Sequence, residues 1–332
     1  MEAPPPAVID VYDAALLDLD GVVYLGPVAV PGAADGIAAL RERGTHIGFV
    51  TNNAARPPDA VATHLVELGI PATGADVVTS AQAGAHLVLN RFGPGARVLV
   101  VGGEGVAAAL AELDLVAVWS ADDQPVAVLQ GYGFELTWQQ LNEAAVAIHR
   151  GAHWVATNTD PTRPTDRGLV PGNGAAVAAV AMAVPITPEV AGKPYRPLLD
   201  DTVARLGAQH PIFVGDRLDT DIAGAQNSGL DSMLVLSGSH GAADVLAAAP
   251  AERPTHLGLD LRALLQPPLV VTVDRGVWRC GAASVSVSDG TIRVAGAQPD
   301  TLTAIWAAAH AAWWLADQGR PVDPVVRPAR RR

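Results

Sequence analysis

Two carboxylates, Asp18 and Asp20, close an apolar run in Ala15-Leu16-Leu17-Asp18-Leu19-Asp20-Gly21-Val22. Along a strand, side chains two apart share a face. Past the strand end they can splay, one carboxylate toward a ligand and the other toward the next loop. Gly21 carries no Cβ and suits a sharp exit there. Three more polar clusters follow, each at the end of its own apolar run. Ile47-Gly48-Phe49-Val50 leads into Thr51-Asn52-Asn53, a hydroxyl and two amides that can donate to an oxyanion without adding charge. Val190-Ala191-Gly192-Lys193-Pro194 fixes a lone Lys between Gly and Pro. Ile212-Phe213-Val214-Gly215-Asp216 runs on through Arg217-Leu218-Asp219-Thr220-Asp221, where carboxylates open a helix. The helix dipole by itself favours acids at such a start. Ligands of open α/β sheets bind outside the carboxyl ends of the strands, where all four clusters would gather. Together they imply a phosphate-handling site.

These clusters need elements to carry them. The first segment reads strand, helix and strand through Ser80, with a helix over Ala33–Arg43 that buries Ile37 and Leu40 and stops before Gly44. Strands are predicted at Val98–Val101 and Ala127–Gln130, and helices at Trp138–Arg150 and Ala175–Ala183. After Lys193 come a helix over Leu198–Leu206 and later strands at Ser232–Leu236 and His256–Gly258. Gln266-Pro267-Pro268 marks a boundary. Beyond it, short strands are expected at Leu269–Asp274, Val277–Cys280, Ala283–Ser288 and Thr291–Val294, separated by Arg275-Gly276 and the hairpin pair Asp289-Gly290. A helix over Asp300–Gln318 follows, its tryptophans spaced as core residues.

The motifs Asp18-Leu19-Asp20-Gly21, Thr51-Asn52-Asn53, Gly192-Lys193-Pro194 and Gly215-Asp216 through Asp221 resemble those of haloacid-dehalogenase-type phosphatases. The Thr-Asn-Asn form, with Ala156 to Asp160 and Gly168 to Gly172, is similar to the branch with a large cap inserted between the second and third motifs. The likeness covers residues 10 to about 245. Including the C-terminal piece, the chain resembles the actinobacterial glycerol 3-phosphate phosphatases. The resemblance implies an α/β fold: a Rossmann-like parallel sheet core, an inserted α/β cap and a small α+β C-terminal domain. It divides the chain into a discontinuous core (1–80 and 187–265), a cap (81–186) and a C-terminal domain (267–332). That last piece looks like a truncated acetyltransferase-type fold. No Gly-rich loop precedes its helix to hold a pyrophosphate, so packing, oligomerisation or regulation is expected of it.

The resemblance also implies roles. Asp18 would be the nucleophile, splitting phosphoester hydrolysis into two steps through an aspartyl-phosphate. Asp20 would protonate the leaving alkoxide and then deprotonate the attacking water. Asp18, the main-chain carbonyl of Asp20, and Asp216 would hold Mg²⁺, with Asp221 acting through water; an all-oxygen set suits that ion. Gly21, Thr51, Asn52, Asn53 and Lys193 would bind the phosphoryl group, Lys193 as a fixed positive charge. Asn158, Asp160 and Arg163, on a loop stiffened by Pro161 and Pro164, would contact the rest of the substrate from the cap; as a polar strand-to-helix loop it can equally be an ordinary connector. Glycerol 3-phosphate is the expected substrate. Phosphoglycolate, a sugar phosphate, transfer to another acceptor, or a non-catalytic phosphometabolite sensor remain open.

Gly102 to Ala108 contains a G-x-G-x-x-A string between a strand and a helix, which admits a nicotinamide-binding reading. Glu104 would sit where a pyrophosphate belongs, so the stretch is assigned to the cap and its glycines to a tight turn. With 22 Lys and Arg against 34 Asp and Glu, the chain carries a net charge of −12, which argues against a nucleic-acid partner. Cys280 is the only cysteine, so no disulfide framework is possible. His149 and His153 are interrupted by Gly151 and lack a third ligand, arguing against zinc. Met1 to Ala7 has no signal-peptide character, and the longest apolar stretch, Ala175 to Val184, is far short of the ~20 residues of a membrane span. A cytoplasmic enzyme without membrane insertion is expected, as a homo-oligomer through the cap or the C-terminal domain. Arg327 to Arg332 reads as a solubilising tail.

Overall fold

The computed structural model describes residues 5–165, 167–288, 290–320 and 327–328. It is an α/β chain of two compact units, one made of residues 1–47 and 209–332 and the other of residues 48–208.

In the first unit, the strands His256–Gly258, Asp231–Val235, Pro211–Gly215 and Ala14–Asp18 lie side by side in that order, all parallel. Ala14–Asp18 and Pro211–Gly215 are buried at every position, as central parallel strands covered on both faces must be. Both end on carboxylates, because the chain stops being apolar where it leaves the sheet. The strand His46–Thr51 starts in register beside Asp13, through His46 N to Asp13 O at 3.3 Å, and carries the chain into the second unit. The helix Ala33–Glu42 forms as expected, with Ile37 and Leu40 buried.

The C-terminal strands Thr272–Asp274, Val277–Cys280, Ala283–Ser288 and Thr291–Ala295 make an antiparallel meander. Arg275 and Gly276 both have positive φ, the backbone of a tight hairpin turn. Ser288 faces Thr291 across the next hairpin, whose Asp289 lies outside the described residues. The first strand is shorter than expected. Pro267 and Pro268 have no N–H to give a ladder, and Leu269 instead offers its carbonyl to Trp306 Nε1 at 3.1 Å. The tail also differs from expectation at Arg327–Pro328, which pairs parallel with Arg293 and Val294; the remaining tail residues lie outside the described ones.

The helix Leu302–Asp317 covers this meander, but its core is not private. Trp278, Val285, Ile292, Trp306 and Trp313 form one buried cluster with Leu218, Ile222, Leu234, Val245 and Leu257 of the parallel sheet and its helices. Trp313 Nε1 donates to Val245 O at 2.8 Å, and Arg253 pairs with Asp317 through two bonds of 2.9 and 2.7 Å. Trp314 departs from the expected core role, being 45% exposed at the edge of the cluster, with its ring centroid 5.6 Å from that of Trp278.

In the second unit, Glu189–Val190, His153–Ala156, Ala127–Gln130, Arg97–Val101 and Val116–Val118 form a five-stranded parallel sheet in that order. Alternation sorts its residues into two cores. Leu99, Val101, Val128 and Trp154 pack with the helices Trp138–His149 and Asn173–Ala181. Val98, Val100, Leu129 and Val155 pack with Ser80–Phe92 and Glu104–Ala111. Reciprocal side-chain bonds cap two of these helices, Thr79 with Gln82 and Thr137 with Gln140. The glycines of the G-x-G-x-x-A string serve close packing more than a turn. Gly102, just before the string, has positive φ, but Gly103 and Gly105 within it do not, and a Cβ on Gly105 would strike the carbonyls of Ala54 and Arg56. No described helix is long and apolar enough to cross a membrane.

Two measurements check this packing. Trp313→Ala should lower unfolding free energy by about 3–5 kcal/mol in chemical denaturation, with a wild-type-like value excluding the shared core. His86 Nδ1 lies 2.7 Å from Asp201 Oδ2, joining Ser80–Phe92 to Pro197–Leu206. The bond to Asp201 raises the His86 pKa above its ordinary value, against the opposite pull of partial burial. The stabilisation is therefore complete below about pH 6.5 and lost as pH climbs through the raised folded value. Both side chains are partly exposed, so it is under about 1 kcal/mol. The gap in stability between wild type and His86→Gln should be larger at pH 5.5 than at pH 9.

Candidate active site

In the first unit, Asp18, Asp216 and Asp221 are buried, each with an oxygen within 4.8 Å of the others. Asp18 is the last residue of its strand, Asp216 follows Gly215 at the end of the neighbouring strand, and Asp221 lies in a single π turn over Leu218–Ile222. Glycines form the walls. A Cβ on Gly21 or Gly238 would overlap the Asp216 carboxylate, and one on Gly215 would overlap that of Asp221. Gly21 has φ of +85° as well, so the turn itself requires it.

Backbone donors aim the carboxylates. Asp221 Oδ2 accepts from the amides of Asp216 and Arg217 at 3.1 and 3.0 Å. Asp216 Oδ2 accepts from Ser239 N at 2.6 Å, and Ser237 Oγ donates to Gly21 O at 2.8 Å. Asp219 turns away to Arg217, with bonds of 3.1 and 2.7 Å. Three clustered, buried carboxylates repel one another, and an all-oxygen set of this kind fits a hard divalent cation such as Mg²⁺. Asp20 is exposed, on a turn pinned where Leu19 O accepts from Val22, Val23 and Tyr24.

The second unit holds the other cluster. Asn52 Oδ1 accepts from Lys193 N at 2.9 Å, while its Nδ2 donates to Lys193 O at 3.0 Å and to Asp160 Oδ2 at 3.1 Å. Asn158 Nδ2 donates to Asn52 O at 2.6 Å. Thr51, buried, accepts from Asn53 N at 3.0 Å, and Asn53 is exposed. Lys193 is buried and precedes a cis peptide bond to Pro194. Asn52, Asn158, Asp160 and Lys193 are thus brought together. Arg163 of the same stretch instead stacks its guanidinium 4.8 Å from the Tyr132 ring centroid and 5.5 Å from that of Phe134.

Residues 15–116 match the family described as haloacid dehalogenase-like hydrolase, and residues 190–264 match a second, HAD-hydrolase-like description. The chain is 45% identical over 323 residues to the D-glycerol 3-phosphate phosphatase of Mycobacterium tuberculosis, covering 96% of this chain and 90% of that protein. The chain belongs to the haloacid dehalogenase-like hydrolases. A crystal structure of the M. tuberculosis glycerol phosphate phosphatase in complex with magnesium superposes with a TM-score of 0.88 at 42% identity, covering 98% of this chain and 96% of that one. An acid sugar phosphatase of Staphylococcus aureus is 36% identical over 229 residues, 68% of this chain and 87% of its own length.

Sequence reading missed several supports of these two clusters. Ser237, Gly238 and Ser239 follow a fifth apolar run, Asp231–Val235, the same signal that marked the other four clusters. Ser80, whose Oγ donates to Asn52 O at 2.6 Å, and Asn173 carry no such signal. The cradle is testable through Gly238→Ala, which should weaken Mg²⁺ binding by about 10- to 100-fold in isothermal titration calorimetry. Unchanged affinity would remove Gly238 from the cradle.

Proposed function

We propose that the chain is a Mg²⁺-dependent phosphoric monoester hydrolase of a small phosphorylated metabolite, with glycerol 3-phosphate as its substrate. The glycine-walled set Asp18, Asp216 and Asp221 carries the reading, since it is a carboxylate set suited to a divalent cation. The substrate rests on similarity to the M. tuberculosis enzyme along almost the whole chain. The similarity to the acid sugar phosphatase over 68% of the chain supports a sugar phosphate as the second reading.

Asp18 is assigned as nucleophile. Its carboxylate bonds to phosphorus as the ester P–O bond breaks, and protonated Asp20 gives its proton to the departing alkoxide oxygen. Asp20, now ionised, takes a proton from the water that attacks phosphorus, and the aspartyl oxygen leaves to free inorganic phosphate. Asp20's exposure on a pinned turn suits a group that must exchange protons twice per turnover. Asp18, the Asp20 carbonyl and Asp216 would hold the cation, with Asp221 behind water. Bound Mg²⁺ offsets the repulsion between the nucleophile and the phosphoryl oxygens. Thr51, the main chain of Gly21, Asn52 and Asn53, and the Lys193 ammonium are assigned to the phosphoryl oxygens. Asp160 and Arg163 are assigned to the organic part of the substrate.

We retain residues 1–80 and 187–265 as the catalytic core, 81–186 as the cap and 267–332 as the appendage, with its likeness to a truncated acetyltransferase-type fold. Assembly of copies through the cap belongs to this reading, supported by Trp138, Leu169 and Met182, which stand 73, 73 and 90% exposed. So does a cytoplasmic location, since a chain whose one cysteine is buried needs no oxidising compartment. Nucleic acid is not proposed as a partner.

Phosphate release from a panel of small phosphoesters, with and without Mg²⁺, tests the reading. Metal-dependent turnover led by glycerol 3-phosphate, reduced at least about 10³-fold in Asp18→Asn, is expected. Preference for another ester would replace the substrate, and no turnover of any ester would overturn the activity in favour of a sensor.

A further inference from the structure

A side-chain amide has two N–H bonds to give and one carbonyl oxygen to receive. Asn52 spends them all within its own unit. Its oxygen takes the Lys193 amide, and its two protons go to the Lys193 carbonyl and the Asp160 carboxylate. It therefore has no side-chain proton left for a phosphoryl oxygen. What it does is grip both polar groups of one residue, Lys193, in the manner of a strand partner. Gly192 makes the approach possible, since a Cβ there would meet Asn52 Oδ1 at 2.6 Å.

Asn52 is itself held from behind. Its main-chain carbonyl accepts from Ser80 Oγ and Asn158 Nδ2, both at 2.6 Å. Asn158 Oδ1 accepts from Asp160 N at 3.1 Å, and Asn158 O accepts from Asn173 Nδ2 at 2.7 Å. Asn158 and Asn173 are 4 and 2% exposed, and Asn158 gives both ends of its side-chain amide to main-chain groups.

We propose that Asn158 and Asn173 are positioning residues for the hydrolase reaction: Asn173 fixes the Asn158 main chain, Asn158 fixes the Asn52 main chain, and the Asn52 side chain fixes the Lys193 main chain that presents the ammonium. The proposal rests on the assignment of Lys193 to the phosphoryl group. Asn158 thereby leaves the set of substrate contacts. The linking groups are neutral amides, which do not titrate, so the grip on Lys193 holds through the proton exchanges of Asp20. The bond from Asn173 to Asn158 is buried, so a partner lost there is not replaced by water. Misplacement of a reacting group by about 1 Å costs roughly 10²-fold in rate.

The test compares wild type with Asn158→Ala, Asn52→Ala and the double variant, using the ester that wild type turns over. Asn158→Ala should lower kcat by about 10- to 100-fold with KM changed less than about threefold. Because Asn158 acts on the residue whose side chain grips Lys193, the double variant should lose less than the product of the two single losses. Losses that multiply, or a kcat for Asn158→Ala within twofold of wild type, would overturn the proposal. If Asn158→Ala does not fold, Asn158→Asp replaces it. Protonated, that carboxyl donates to Asn52 O as the amide does; ionised, it repels it. Its kcat relative to wild type should therefore rise as pH falls, and a flat ratio would overturn the proposal. Absence of turnover by wild type would overturn the hydrolase reading itself, a separate and recognisable result.

Discussion

Three carboxylates with oxygens inside 4.8 Å of one another, all buried, are a costly arrangement for a folded chain. Most local oddities of the first unit follow from keeping them there. The walls are glycine because Gly21, Gly215 and Gly238 stand where any Cβ would displace an oxygen. The turn after Gly215 is π-type, which places Asp221 so that two consecutive amides can reach its Oδ2. Ser239 N takes one oxygen of Asp216 at 2.6 Å. Amide donors orient the carboxylates and offset part of their charge without adding a positive side chain that would compete with a divalent ion.

The second unit solves a different problem with different chemistry. Its cluster must hold one buried cation side chain, Lys193, in a fixed place. It does so through the main chain, where the Asn52 amide bonds both Lys193 N and Lys193 O. A charged partner on the backbone would add an electrostatic preference to what is needed only as geometry. The amide of Asn52 is planar and matches a peptide group, so it can bond an N–H and a C=O of the same residue together. An ionised carboxylate only accepts, and a hydroxyl would have to make both bonds from one atom.

The polar clusters were legible in the sequence because each interrupts an apolar run, and strand ends are where such interruptions must fall. The same rule extended to Leu236-Ser237-Gly238-Ser239 would have found the Asp216 support. Strands and helices with a clear period were also legible, Ala127–Gln130, Val277–Cys280 and Ala283–Ser288 to the residue. Asn158 and Asn173 were not legible as a pair, because their link joins a strand-end loop to a helix start through a main-chain carbonyl. Such an acceptor is present at every residue and leaves no mark in composition. The glycines near Gly105 misled for a related reason. Spacing shows that a Cβ is missing but not which neighbour forbids it, and here the neighbours are the carbonyls of Ala54 and Arg56.

Pro267-Pro268 is a boundary of secondary-structure type and not of hydrophobic core. The antiparallel meander begins just beyond it, yet Trp306 and Trp313 are buried with Leu234, Val245 and Leu257. The short strands after the proline pair do form the expected antiparallel C-terminal domain, while periodicity describes each element alone and not what covers it. Sixteen helical residues so rich in Ala and Trp could not bury both faces against a four-stranded meander. The second face needs the helix Ala242–Ala247, reached through the indole N–H of Trp313 on Val245 O. That short helix directly follows Ser239 and His240, whose amides bind the Asp216 carboxylate and carbonyl. Packing of the appendage and aim of a candidate metal ligand thus share one segment of chain, so the appendage has a structural task whether or not it has any chemistry of its own.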